Sequence, residues 1–387
     1  MARRRNVGLT NSAWELLRYK IRHIGVRNTL RVAYLDWAEH LAFRLAKRFP
    51  AMSITPRSIQ IECTTRCNLK CTMCEISYWS EKGGDLQVAN LSKLLGHLPR
   101  LKRVDLTGIG EALMNRGFFE ALELLKSHGL YITLNDNFTL MTETAARRII
   151  GLGVDQIFLS LDGATKETYE KIRIGADFDK VIANARRLIR LKKDLRKKRP
   201  EIKINAVVCS TNYRELPAIV ALAHDLGIGM VQFVNVITFE HTSELETTAL
   251  RRDIGESFDK ALEAARRLKI LVKIELFEKQ PVQRCDFPWK RNFVTYDGFV
   301  HPCCYTTQSG DRAAQNVRSL GNLLDHSFSE LWNSRRYSEF RKKMHSGVLP
   351  YQCQDCPKYA GREDVASNRH RVEGAGSALS PANGKRC

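Results

Sequence analysis

Among its 387 residues the chain has no run approaching the roughly 18 uninterrupted apolar positions of a membrane-spanning helix. The Arg-rich start, Met1 to Arg5, is not followed by the apolar stretch of a secretion signal, so a cytoplasmic, reducing setting is the expectation. Acidic residues are in short supply, 42 Asp and Glu against 62 Lys and Arg, for a formal net charge of +20. That balance favours anionic partners such as phosphorylated substrates, nucleic acid or acidic lipid, without choosing among them. The stacking motifs of RNA-binding modules are missing, so nucleic acid is not an expected partner. A 43% hydrophobic composition is enough to bury a full-size core and excludes global disorder.

An even, evenly spread set of cysteines is also lacking. There are eleven, in two groups at 63, 67, 71, 74 and at 285, 303, 304, 353, 356, with Cys209 and Cys387 left over. An odd number clustered at short gaps, in a chain without a secretion signal, points to metal ligation rather than a disulfide framework.

Residues 1–56 are basic, with apolar positions Leu30, Tyr34, Trp37, Leu41 and Leu45 at helical spacing and Gly25 between two helices. Such a segment suits a helical layer packed on the main domain. As a basic amphipathic helix it also suits weak contact with an anionic membrane.

From about residue 57 strand-like runs alternate with amphipathic stretches. The strands are expected at Ser58 to Cys63, Leu101 to Thr107, Leu130 to Leu134, Gln156 to Leu161, Ile202 to Cys209 and Met230 to Val236. This is the pattern of parallel β/α units. Six of them over 57–280, without an internal repeat, predict an α/β fold, a partial (β/α)6 TIM-type barrel. The basic run Arg186 to Arg199 reads as the solvated face of a helix whose other face carries Val181, Leu188 and Leu191. A small cysteine-bearing domain over 281–361 and a flexible Gly/Ser/Ala/Arg tail over 362–387 complete the expected organisation.

Cys67-Asn-Leu-Lys-Cys71-Thr-Met-Cys74 puts three thiols within eight residues, directly after the first expected strand. In a β/α barrel that loop opens at the C-terminal face, where active sites of this architecture sit. Three thiolates on a four-iron cubane leave one iron for an exogenous ligand. Structural zinc would need a fourth ligand, which Cys63 could supply.

This segment resembles the C-x3-C-x2-C signature of the radical S-adenosylmethionine (SAM) superfamily. The resemblance implies that Cys67, Cys71 and Cys74 hold a [4Fe–4S] cluster whose open iron binds SAM, and that SAM is cleaved to a 5′-deoxyadenosyl radical that takes hydrogen from substrate. Met73 stands where the family usually has an aromatic residue whose backbone meets adenine. Thr107-Gly108-Ile-Gly110-Glu111 is similar to the family's Gly-Gly-Glu motif, in which the acid holds the methionine ammonium. Asp136-Asn137-Phe138-Thr-Leu-Met-Thr142 is similar to a Thr-Asn-Gly-x-Leu-Leu-Thr segment, with Phe138 in place of glycine and Asn137 as a SAM contact. Ser160-Leu-Asp162-Gly163, followed by Tyr169 and Arg173, resembles a Ser-x-Asp-Gly…Tyr…Arg run. It implies that Ser160, Asp162 and Arg173 meet SAM, with Ser160 and Arg173 at ribose and carboxylate.

The second cysteine group could ligate a cluster or zinc. With its Tyr296-Asp-Gly298…Cys303, Gly321-Asn322 and Leu331-Trp332-Asn333 landmarks, it resembles the SPASM extension of radical SAM enzymes. Cysteines expected after Cys356 are missing, so the resemblance implies one auxiliary [4Fe–4S] cluster on Cys285, Cys303, Cys353 and Cys356, with Cys304 the rival to Cys303. Such a cluster passes an electron or cross-links a small module.

The functional expectation is a radical SAM oxidoreductase acting on a small polar metabolite, a sugar or aminocyclitol, by dehydrogenation. The runner-up is a maturase or epimerase acting on a ribosomal peptide or protein side chain, and a non-catalytic zinc-bearing RNA binder is the alternative of another class. Cys209, near the end of the fifth expected strand, is either a hydrogen donor to a product radical or a buried structural thiol. Expected partners are the small-molecule or peptide substrate and a reductant such as flavodoxin or ferredoxin.

Overall fold

The computed structural model describes residues 8–9, 12–49, 54–79, 83–238, 240–247, 250–275, 280–307, 312–354, 356 and 358–360. The expected tail over 362–387 and the extreme N-terminus, 1–7, lie outside the described residues.

Strands with period-two alternation form the centre. Numbered along the chain they are β1 (Ser58–Ile61), β2 (Arg103–Leu106), β3 (Tyr131–Asp136), β4 (Gln156–Ser160), β5 (Glu201–Val208), β6 (Met230–Asn235), β7 (Leu271–Glu275) and β8 (Arg291–Val294). They lie side by side in the order β7-β6-β5-β4-β3-β2-β1-β8, every neighbour parallel. In β4, Ile157 and Leu159 are fully buried toward the helices, while Gln156 and Phe158 face the other way. Gln60, Asp105, Thr133, Asn205 and Gln232, from five further strands, turn the same way and line one polar lumen of about 430 Å³. The sheet therefore curls round a hollow as a partial barrel.

Among the described residues two parallel strands go beyond the six expected. β7 extends one edge beyond β6, and β8, from within the expected C-terminal domain, pairs with β1 at the other edge. The boundary at 281 thus divides one continuous sheet. β8 turns back into antiparallel β9 (Phe299–His301).

The helices between strands present apolar stripes to the sheet. α2 (Val88–Gly96), α3 (Phe118–Ser127), α4 (Glu143–Leu152), α5 (Lys166–Ile172), α6 (Phe178–Asp194), α7 (Leu216–Asp225) and α8 (Arg251–Leu268) follow in chain order. α6 buries Val181, Leu188 and Leu191, as the sequence pattern requires. Local signals set the helix ends: Thr142 accepts from the Ala145 N–H at the start of α4, and Gly153, at φ +70°, terminates it.

Ahead of the barrel lies α1 (Ala13–Arg48), interrupted at Gly25 (φ +81°, ψ 163°), where the sequence places its break. It lies across the N-terminal ends of the strands. Ile24, Val32 and Leu35 pack with Tyr131 at the start of β3, and Tyr19 packs with Met230 and Leu271 at the starts of β6 and β7. Arg103 pairs with Asp36 at 2.6 Å and Glu39 at 3.7 Å, and Arg31 donates to the Gly129 carbonyl at 2.8 Å. The positions that carry the helical period in the sequence, Leu30, Tyr34, Trp37, Leu41 and Leu45, face solvent instead. α1 has apolar residues on two faces, and the docked face is the one that meets Tyr131 and Arg103. No helix among the described residues is long and apolar enough to cross a membrane.

Candidate active site

The three-cysteine loop follows β1 at the C-terminal face of the sheet. Its conformation is set by backbone pairing with a distant segment: Lys70 and Cys71 form an antiparallel bridge with Ile174 and Arg173, and the Thr72 N–H donates to the Ile172 carbonyl at 2.8 Å. The Leu69 N–H donates to Cys67 Sγ at 3.4 Å, and Arg173 Nη1 to Cys71 Sγ at 3.9 Å. Burial pushes the Cys67 thiol up to about 11 and the Cys74 thiol up to about 12, so thiolates form there only with a cation to offset desolvation. Cys71 is raised by the same cause, opposed by the Arg173 charge. Among the described residues no three His, Cys, Asp or Glu side chains gather closely enough to share a single metal ion.

The loops after β2 and β3 meet beside these thiols. A Cβ on Gly110 would stand 2.3 Å from the Thr64 carbonyl oxygen, and one on Gly108 would stand 2.5 Å from Glu62 Cγ, so only glycine lets the loop after β2 approach the segment after β1 that leads into the cysteines. Glu111 is buried, and its Oε2 accepts from the Asn137 N–H at 2.9 Å. Asp136 lies within hydrogen-bond reach of the Glu111 carboxyl, and among the described residues Glu111 Oε1 and Asp136 Oδ2 are buried without any other side-chain donor. Burial and the neighbouring Asp136 charge hold the Glu111 carboxyl well above its ordinary range, and burial lifts Asp136 to about 6. Two buried carboxyls facing each other make a receptor for a compact cation, and an ammonium group fits it.

Asn137 is tied to the cysteine loop: its Nδ2 donates to Asn68 Oδ1 at 3.2 Å, and its Oδ1 accepts from the Thr139 N–H at 2.9 Å. Phe138 sits at φ +62°, the left-handed region that explains glycine at the corresponding place in the resembled motif. The ring is fully buried and Asn184 Nδ2 donates to the Phe138 carbonyl at 2.7 Å, which together offset the strain.

At the end of β4, Ser160 is half-buried. Asp162 is fully buried; its Oδ1 accepts from the Val207 N–H at 2.7 Å and its Oδ2 lies 2.7 Å from Arg173 Nε. That carboxylate is spent on holding Arg173, which in turn reaches Cys71. The Tyr169 hydroxyl, buried nearby, has no hydrogen-bond partner among the described residues. Met73 packs its side chain on an apolar cluster of Ile172, Cys209, Val236 and Leu245. Cys209 is 1% exposed, with its thiol raised by burial, the surroundings of a core cysteine.

The second group gathers in the C-terminal segment. Cys285, Cys303, Cys353 and Cys356 all line one cavity with Pro288 and Tyr359. Cys304, one residue on, lines the barrel lumen with Arg291 and Lys358. The module is closed by parallel pairing of Gln280–Pro281 with Tyr359–Ala360 and anchored by a buried Tyr337, whose hydroxyl donates to the Pro288 carbonyl at 2.8 Å. Asp136, Asn68 and Thr139 join the site without having been singled out in the sequence. Asp136, next to Asn137 and opposite the Gly-Glu loop, carried the one available signal.

Comparison with known families decides between these chemistries. The family model described as the radical SAM superfamily matches residues 61–195, and that of the SPASM iron–sulfur cluster-binding domain matches residues 285–357. The chain carries a radical SAM domain and a SPASM domain. Among relatives of this radical SAM protein, the tungsten-containing aldehyde ferredoxin oxidoreductase cofactor-modifying protein of Pyrococcus furiosus is 26% identical, over 77% of this chain and 86% of that one. The PqqA peptide cyclase of Gluconobacter oxydans is 28% identical over 78% and 83%. In fold it is similar to Streptococcus suis SuiB bound to S-adenosylmethionine, with a TM-score of 0.60 at 14% identity over 74% of this chain and 68% of SuiB. The radical SAM and SPASM domains carry [4Fe–4S] clusters, and the donor set fits: three thiols in one loop, four more round one cavity, and an acidic pocket beside the first group.

Proposed function

We propose that this radical SAM enzyme modifies a peptide or protein side chain, with a cofactor precursor of similar size as the second reading. The observation that carries the proposal is the likeness to the PqqA peptide cyclase over 78% of this chain. The cofactor-modifying relative supports the second reading. The small-metabolite dehydrogenation expected from the sequence has no comparable support among these relatives.

In this reading Cys67, Cys71 and Cys74 hold the first cluster, and Cys285, Cys303, Cys353 and Cys356 hold one auxiliary cluster. When bound, the first cluster and SAM supply reductive cleavage of the sulfonium and a carbon radical that removes hydrogen from substrate. The protein's own residues position and exclude water. Glu111 and Asp136 take the ammonium of SAM, Arg173 its carboxylate, and Ser160 its ribose, while Asn137 and the Met73 backbone border the adenosine. Asp162 and the Asn68–Asn137–Thr139 bonds orient them. The domain limits 1–56, 57–280 and 281–361 belong to the same proposal, with β8 as the strand that the last segment lends to the barrel.

The test is anaerobic reconstitution with iron and sulfide, reduction, and incubation with SAM and deuterated candidates. Deuterium entering 5′-deoxyadenosine from short peptides encoded beside the gene supports the proposal. Transfer from sugars or aminocyclitols alone overturns the peptide reading.

A further inference from the structure

The outer face of α1 is apolar where a soluble barrel enzyme would carry charge. Leu30, Tyr34 and Trp37 are 65%, 57% and 61% exposed, and Val26, Leu41 and Leu45 continue the same stripe at spacings of three and four residues. Before the break at Gly25, Trp14, Leu17 and Ile21 do likewise. Of the seventeen exposed large hydrophobic residues among those described, ten fall between Trp14 and Phe49, so the exposure is concentrated on one element.

The charge around this stripe is of one sign. Residues 13–48 hold eight Lys and Arg against three carboxylates. The carboxylates are all engaged: Glu15 in the capping box with Ser12, and Asp36 and Glu39 with Arg103. Arg18, Arg22, Arg27, Arg44 and Arg48 remain exposed along the stripe, and Arg18 stacks over Trp14 at 5.2 Å. Trp and Tyr bordered by arginine, on a helix too polar to span a bilayer, match the interfacial zone of an anionic membrane, where rings sit among headgroups and guanidinium groups meet phosphates. A second copy pairing on this face would bring two such arginine sets together.

We propose that the outward face of α1 docks the enzyme on the surface of an anionic lipid bilayer, lying in the interface without crossing it. Because α1 lies across the N-terminal ends of the strands and the site loops follow their C-terminal ends, the docked enzyme keeps its substrate mouth turned away from the lipid. The site therefore serves substrates brought to the membrane surface from the aqueous side. This inference stands independently of which substrate the radical acts on.

The test uses the full chain with reconstituted clusters and vesicles of equimolar phosphatidylcholine and phosphatidylglycerol, against vesicles of phosphatidylcholine alone. Flotation should show about tenfold or stronger partition onto the anionic vesicles, weakening as salt is raised. Brominated lipid should quench the Trp14 and Trp37 emission, and W14F/W37F should abolish that quenching. L30E/W37E, at two exposed positions, should lose vesicle binding while keeping parental iron content and thermal unfolding. Three results overturn the proposal: no flotation of a monodisperse protein with either vesicle, L30E/W37E floating like the parent, or a solution dimer that L30E/W37E dissociates, which would assign the face to a second copy.

Discussion

Glu62 and Arg312, 250 residues apart, form a buried ion pair in which Arg312 Nη2 donates to Glu62 Oε2 at 2.7 Å. Glu62 follows β1 directly and Arg312 begins the helix Arg312–Arg318 of the cysteine-rich segment, so the pair locks the second segment against the cluster loop. Burial raises the Glu62 carboxyl and the guanidinium opposes that rise. Arg312→Ala strands a carboxylate without its counter-charge and should lower stability by about 3–5 kcal/mol. Adding Glu62→Gln should recover part of that loss. Urea unfolding of both variants checks the order.

Phe138 occupies a left-handed position that its ring compensates by burial. Phe138→Gly should release about 1–2 kcal/mol of backbone strain but forfeit about 3–5 kcal/mol of packing. The net expectation is a protein about 2 kcal/mol less stable, measured by chemical denaturation, even though glycine restores the more usual motif.

In the proposed binding mode the Glu111–Asp136 pocket makes SAM affinity depend on pH. With the Asp136 carboxyl lifted to about 6 and Glu111 raised as well, protons compete with the ammonium of SAM at low pH. Affinity for SAM should rise as pH climbs through 6, as calorimetric titration at several pH values would show. For folding the sign is opposite. A carboxyl raised in the folded state contributes stability that is present below its unfolded value near 4 and lost as pH rises through about 6. Asp136→Asn should flatten that part of the stability curve and weaken SAM binding about tenfold or more, the loss of one charged hydrogen-bond partner.

Cys303 and Cys304 differ in the cavity they face. Cys303→Ser should reduce reconstituted iron from about eight to about four per chain, and Cys304→Ser should leave it near eight. Iron analysis with Mössbauer spectra separates the outcomes. A Cys304→Ser variant that lost the second cluster while Cys303→Ser kept it would reverse the assignment.

The legible parts of this protein are those whose information is local. Cys67, Cys71 and Cys74 lie within eight residues, so their spacing alone presents three thiols together, and the Gly-Glu and Ser-Leu-Asp-Gly segments follow strands whose alternation is plain in the chain. The first six strands were therefore found to within a few residues. β7 and β8 were not, because each owes its place to a partner outside its own stretch of sequence: Leu271–Glu275 is held by β6, and Arg291–Val294 by a strand more than two hundred residues earlier. Asp162, expected to meet SAM, is consumed by Arg173 and the Val207 N–H, a pairing that becomes visible only in space.

By itself the amino-acid order determined the chemistry available: which thiols can hold iron, which acid stands ready beside them, and a helical N-terminus broken at Gly25. Tertiary structure alone decided which of two adjacent cysteines joins the shared cavity, which carboxylates pair with a guanidinium and which face each other, and which apolar face of α1 is hidden. The physical reason is that ligand type and periodicity are properties of neighbours along the chain. Burial and counter-charge depend on neighbours through space, and here Tyr131 and Arg103 turn one stripe of α1 inward and leave the other facing out.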